Sequence, residues 1–401
     1  MDPDTDPMPP GRRIKMYRRR RGLTQDAAAA LIGKSVGCWR KWESGERSPG
    51  SLADWLEIAR VLGVRDLERL TGLPMGLLPD DPAEHESVPA LRAAMLAYRP
   101  TVDPPDAAEL RTAVHLAWAT WHQSPHRYTH TAPVLPGLIH AARAAVAGLD
   151  GQERREAQRA TADLYLLVRS YAKRVGANDL AAIAADRALT AAYETDDPAY
   201  RASAAWNLGQ VLSNRGHAEQ AIDVCTEAIA DITSGGLPGD PVVLSTLGGL
   251  HLLTAIQHAR LRDERRARDM LDAADRIAAR TGDTTHHWLF FGPTNTAIHR
   301  TAAALELSRH GETIRVGERV DVTASPSVER RHSHYTHLAR AYASRREDLA
   351  AITMLLRADR DVPEESRLNL LMRSIVRELL TRETPTTRAD LRLLAGRVGI
   401  A

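Results

Sequence analysis

Apolar and polar positions alternate in two different ways along the chain. Between Gly11 and about Thr71, short apolar stripes at helical spacing are interrupted by turn residues, which predicts five small helices. Gly22 ends the first. Thr24 caps a second over Gln25 to Leu31, which Gly33 closes. Ser35 caps a third from Val36 to about Glu43, and Gly45 stops it. Pro49 and Ser51 lead into a fourth over Leu52 to Leu62, stopped by Gly63, and a fifth spans Arg65 to Leu70. From Val88 to about Leu380 the stripes lengthen into a series of long helices joined by short breaks. Between these regions, residues 72–87 are rich in Pro, Gly and acid and read as a linker; residues 1–10 read as disordered.

The long region repeats. Its clearest unit carries Tyr335, Leu338, Ala339, Tyr342, Ala351, Leu355, Ala358 and Pro363, which resembles the tetratricopeptide (TPR) helix-turn-helix pattern. Small residues at the helix crossing let two backbones approach, and large ones fill the adjacent groove. A second unit holds Leu208, Gly209, Gly216, Ala221 and Ala228, and a third Tyr165, Gly176, Ala181 and Ala188. Weaker units hold Ala267, Leu271 and Ala274, then Gly311 within 296–320. Helices near 106–122 and 134–148 extend the stack, Leu368 to Leu380 caps it, and 381–401 reads as a tail with a short helix.

Charge sharpens this division. The 401 residues hold 53 Lys and Arg against 51 Asp and Glu, a net of +2. Residues 11–50 alone carry eleven basic and three acidic side chains, so a compact basic end sits on a mildly acidic remainder, which implies a polyanion partner for the first region. Two cysteines, Cys38 and Cys225, make neither a disulfide framework nor a four-cysteine zinc site. No apolar run is long enough for a membrane span, and the acidic, Pro-rich start has no apolar signal segment, so the expected location is cytoplasmic and nucleoid-associated.

The first region resembles the XRE/Cro helix-turn-helix family over about 55 residues. The matching positions are Gly22-Leu23-Thr24-Gln25, then Ala29, Leu31, Ile32 and Gly33, then Trp42, Glu43 and Gly45, then Ala59, Leu62 and Gly63. The implied fold class is all-α: an N-terminal five-helix, lambda-repressor-like domain over 11–71, followed by a TPR-like α-solenoid over 88–380. XRE domains joined to TPR arrays are similar to peptide-responsive regulators of Gram-positive bacteria and to actinobacterial regulators, and the Arg/Ala-rich composition leans toward the latter.

The resemblance assigns DNA contacts. The start of the second helix, with Thr24 and the Gln25 amide, faces phosphate. Ser35 caps the recognition helix, from which Val36, Gly37, Arg40 and Lys41 face the major groove. Arg40 and Lys41 suit guanine O6 and N7, Val36 suits a thymine methyl, and Gly37 permits close approach. Ser44 and Arg47 reach phosphate, whereas Arg12, Arg13, Arg19, Arg20 and Arg21 supply diffuse field. Trp39 and Trp42 are core, and Arg18 with Glu43 forms a structural ion pair. The partners so implied are double-stranded DNA, a second copy in a homodimer on an inverted repeat, and a signalling peptide or small molecule on the repeats.

For that ligand the sequence offers residues 286–299, which hold both phenylalanines, and the amide of Asn207; the candidate set is Asn207, Trp288, Phe291, Asn295 and His299. Gly33-Lys34-Ser35 ends like a P-loop, but Ala28 stands where that motif needs Gly. His122, His126 and His130 share a helical spacing broken by Pro125, and with His332, His334 and His337 they read as interhelical or exposed residues, not metal ligands. No cofactor, metal or catalytic constellation is expected, so an enzyme is not; the competing reading is a TPR interaction scaffold whose DNA contact serves localisation.

Overall fold

The computed structural model describes residues 8–64, 67–71, 84–236 and 239–400. The described residues form helices and turns and no strand, so the fold is all-α. The chain divides into two compact units, residues 1–83 and 84–401.

The first unit contains α1 (Pro10–Arg20), α2 (Gln25–Leu31), α3 (Val36–Ser44), α4 (Leu52–Leu62) and α5 (Leu67–Thr71). Side-chain oxygens of Thr24, Ser35 and Ser51 accept the free N–H groups at the starts of α2, α3 and α4. Left-handed Gly45 and Gly63 end α3 and α4. Ile14, Ala28, Ala29, Trp39, Trp42, Ile58, Leu62 and Leu70 make the core.

Three boundaries differ from expectation. Residues 1–7, expected to be disordered, lie outside the described residues, but Pro10 already opens α1, because proline at a first helical position loses no hydrogen bond. The fifth helix runs to Thr71, one residue beyond expectation, and residues 65–66, its expected start, lie outside the described set. Of the expected linker, 72–83 also lie outside it, whereas residues 84–87 pack on the second unit: the Tyr171 hydroxyl donates to Ser87 Oγ at 2.7 Å, and the His85 ring lies 6.4 Å from that of Tyr171.

The second unit begins with α6 (Val88–Leu96), α7 (Ala107–Gln123), α8 (Arg127–Thr131) and α9 (Leu135–Gly148). Five antiparallel hairpins follow: α10 (Gly151–Arg174) with α11 (Asn178–Tyr193), α12 (Pro198–Asn214) with α13 (Ala218–Thr233), α14 (Pro241–Arg260) with α15 (Glu264–Thr281), α16 (Pro293–Glu306) with α17 (His310–Gly317), and α18 (Val328–Ser344) with α19 (Asp348–Asp361). Each turns through one left-handed residue, successively Gly176, Gly216, Arg262, Ser308 and Arg346. In each turn the next N–H bonds a carbonyl five residues back, as from Ala177 to Ala172 and from Glu347 to Tyr342. The hairpin of α16 and α17 therefore turns at Ser308; Gly311, the glycine that marked it in the sequence, lies inside α17.

Close approach explains the small residues. A Cβ on Gly209 would stand 2.9 Å from Leu253 and 3.1 Å from Cys225, so α12 meets α13 and α14 backbone-close. α14 is long and apolar enough to cross a membrane, yet most of it is buried within the unit. The unit ends with α20 (Pro363–Leu368), α21 (Leu370–Leu380) and α22 (Arg388–Val398). α22 is no tail: Leu391, Leu394 and Val398 are buried with Leu355, Met372 and Ile375.

Repeat arrays ordinarily contact only their neighbours. Here the first helices meet the last. Buried Arg127 on α8 donates to Glu365 on α20 at 2.8 Å, and its guanidinium lies 3.9 Å from the Trp121 ring. The Tyr128 hydroxyl donates to the same carboxylate, its backbone N–H to Glu364 at 2.8 Å, and His122 Nδ1 lies 3.0 Å from Ser327 Oγ. The array closes on itself around a cavity that is partly open to solvent.

Candidate functional site

On the first unit, α3 presents Gly37, Arg40, Lys41 and Ser44 to solvent, with Ser35 at its start, Arg47 just beyond and Val36 half-buried. These residues share one side because Trp39, Trp42 and Glu43 face the core. Arg40 has no hydrogen-bond or ion-pair partner among the described residues. Lys41 makes an exposed pair with Glu46 at 3.2 Å, which costs little to break. The hydroxyls of Thr24, Ser35 and Ser44 are engaged locally, the first two in caps and the third with the Lys41 carbonyl at 3.1 Å.

Glu43 is the hub behind that surface. Arg18 Nε and Nη2 donate to its two oxygens at 2.5 and 3.0 Å, and Trp39 Nε1 and Gln25 Nε2 each donate at 2.7 Å. Burial works to raise the Glu43 pKa, but these hydrogen bonds outweigh it and hold the carboxyl below its usual range. The Gln25 amide thus gives one of its two N–H groups to the hub, an engagement the sequence expectation did not include. Arg21 is likewise no diffuse charge, since its Nε donates to the last carbonyl of α4, Leu62, at 3.2 Å.

The cavity of the second unit measures about 190 Å³. Trp118, His122 and Trp288 wall one side with near-parallel rings, Trp118 and Trp288 centred 5.5 Å apart and tilted by 10°. Trp288 belongs to a left-handed segment: His287, Trp288 and Phe290 have φ of 47°, 58° and 52°. Such conformations persist where surrounding contacts over-determine them, and they cluster at ligand sites. The same lining holds Arg169, Lys173, Arg174, Arg260 and Arg330, with only Glu306 and Glu329 as carboxylates. Arg174 bonds both Glu329 and Glu365, and Arg260 pairs with Glu306 at 2.9 Å. Burial, together with the neighbouring cations Arg174 and Arg330, pushes Arg169 down to about 9 despite Glu329, and burial with Arg174 and Arg169 pushes Lys173 down to about 7. Burial also drives His122 and His299 to about 3 and His337 to about 4, so these line the cavity as neutral rings.

Of the five candidate ligand residues, Asn207, Trp288 and His299 line this cavity. Asn207 serves the protein, however: its amide donates to Ser203 at 2.8 Å and its oxygen accepts from Arg169. Phe291 and Asn295 are not lining residues. Phe291 is fully buried in the notch that Gly248 leaves on α14, and Asn295 donates to the Leu289 carbonyl at 3.4 Å. The arginines were missed, although a charged residue amid the buried run of α10 is a signal that sequence offers. Among the described residues no group of His, Cys, Asp or Glu has a metal-holding arrangement.

The first unit is a helix-turn-helix domain: residues 11–71 match the family model described by that name. No curated protein matches the chain. Among solved structures, the chain is similar to the crystal structure of Bacillus thuringiensis PlcR in complex with the peptide PapR7 and DNA. Identity is 15%, coverage is 68% of this chain and 94% of that one, and the TM-score of 0.27 is too low to carry a conclusion.

Proposed function

We propose that the chain is a cytoplasmic transcriptional regulator that binds duplex DNA through its first unit and takes a ligand in its second. The carrying observation is the solvent face of α3, with Arg40 unpaired and Lys41, Ser44 and Arg47 beside it, on the most basic stretch of the chain. A helix so exposed and so charged fits the major groove, where Arg40 and Lys41 meet base edges and the start of α2, Ser44 and Arg47 meet phosphate. Binding as a homodimer to an inverted repeat follows from the symmetry such domains use. Ligand in the second unit then alters the spacing of the two DNA-binding modules.

Gel shifts with genomic fragments test the DNA half. Arg40→Ala with Lys41→Ala should abolish sequence-selective binding while leaving the unit folded. Affinity should also fall steeply with salt as phosphate contacts release counterions. Unchanged selectivity in the double variant would remove α3 from the interface.

A further inference from the structure

We propose that the cavity is a receptor site for a small aromatic acid, its ring against the Trp118–Trp288 wall and its anionic group on Arg169, Lys173 and Arg330. This rests on the reading of the second unit as the ligand-binding half and names the chemistry it selects.

The unbalanced charge carries the argument. Arg127 and Arg174 share Glu329 and Glu365, and Arg260 has Glu306, so these cations are neutralised by carboxylates of the fold. Arg169, Lys173 and Arg330 have no carboxylate within ion-pair distance among the described residues. Arg169 is 5% exposed, yet its hydrogen bond goes to the neutral Asn207, and its Nε has no partner. Arg330 reaches only the Leu289 carbonyl, at 3.4 Å. These three basic groups gathered from α10 and α18, two fixed guanidinium charges and an amine that a bound anion would keep protonated, feel Glu329 only from beyond contact distance; they oppose folding, unless an anion is what they are built to receive. His122 Nε2 and His337 Nδ1, also buried and unpartnered, add neutral polar contacts on the same lining.

Size and wall chemistry narrow the anion. A cavity of about 150 Å³ accommodates benzene, so the roughly 190 Å³ here has room for a single ring system with a small head group. Parallel indole and imidazole rings favour a flat partner. The cations accept a carboxylate or a phosphate equally, and a free aromatic acid shares its chemistry with the C-terminal residue of a peptide.

Calorimetric titration of the full chain without DNA separates these cases, using phenylacetate, indole-3-acetate and phenyl phosphate, the amides of the two acids, inorganic phosphate, and a tetrapeptide ending in phenylalanine. An anionic aromatic probe should bind at least about tenfold more tightly than its amide or than phosphate alone, the margin expected of a charge-assisted contact. Arg169→Met and, independently, Arg330→Gln should each weaken it by about tenfold. Equal affinity for acid and amide, binding unchanged in both variants, saturation by the tetrapeptide alone, or no saturable binding of any anionic aromatic probe at millimolar concentration would overturn the proposal. Gel shifts with the bound probe are read separately. Binding without a change in DNA affinity would leave the anion site standing and remove the regulatory reading; intact DNA binding with no anion bound would do the reverse.

Discussion

Arg18 and Arg169 are both buried arginines, 8% and 5% exposed, and they do opposite things. Arg18 meets a bidentate carboxylate and donates a further bond to the Leu23 carbonyl at 2.6 Å, so its charge is spent inside the fold. Arg169 faces two more cations and leans on a neutral amide. Arg127, fully buried but bonded to Glu365, belongs with Arg18. The depth of a charge therefore says little about its role; whether the fold itself supplies the counter-charge says much more.

Acid should separate the two units most strongly. All 16 histidines lie beyond residue 84, and six of them are held near 3 or 4: His122, His251, His299, His332, His334 and His337. Burial is the first cause in each. A folded pKa below the unfolded value of about 6.5 means that the unfolded chain takes up protons first. Their contribution is complete above that pH and is lost as pH falls toward 4. Glu43, lowered from 4.5, loses its own contribution only further down. Hydrogen exchange should show the second unit opening before the first as pH drops from 6.5; the reverse order would break the contrast.

Removing a counter-charge comes next. Glu43→Ala strands Arg18 and should cost about 3–5 kcal/mol in denaturant unfolding; Glu365→Ala leaves Arg127 and Arg174 to share Glu329 alone and should cost no more than that. Arg169→Met should behave the other way, from neutral to about 1–4 kcal/mol more stable, because it removes a charge the fold does not compensate. A clear loss there would place Arg169 with Arg18. Smallest is Gly248→Ala, which puts a methyl group into the Phe291 ring and should cost about 1–3 kcal/mol by overpacking, seen as a lowered Tm with ligand affinity unchanged.

The first unit was readable because its signals are local. Thr24, Ser35, Ser51 and the closing glycines mark helix ends within a few residues, and the pairing of Arg18 with Glu43 follows from family resemblance. What escaped there were choices among partners, such as Gln25 turning to Glu43. The cavity was mostly illegible because its lining converges from α7, α10, α12, α14, α16 and α18, over more than two hundred residues. The aromatic segment 286–299 was found, but Phe291 was assigned to the ligand when the Gly248 notch takes it into the core. Adjacent Gly248 and Gly249 in mid-helix are the signal that would have placed it.

The junction between α8 and α20 bears on how this architecture can evolve. An open stack gains or loses a hairpin without disturbing distant ones. Here a duplicated hairpin would carry Glu365 away from Arg127 and leave both charges stranded. The number of hairpins is thereby locked by a single clasp, and lineages that change it must first replace the clasp.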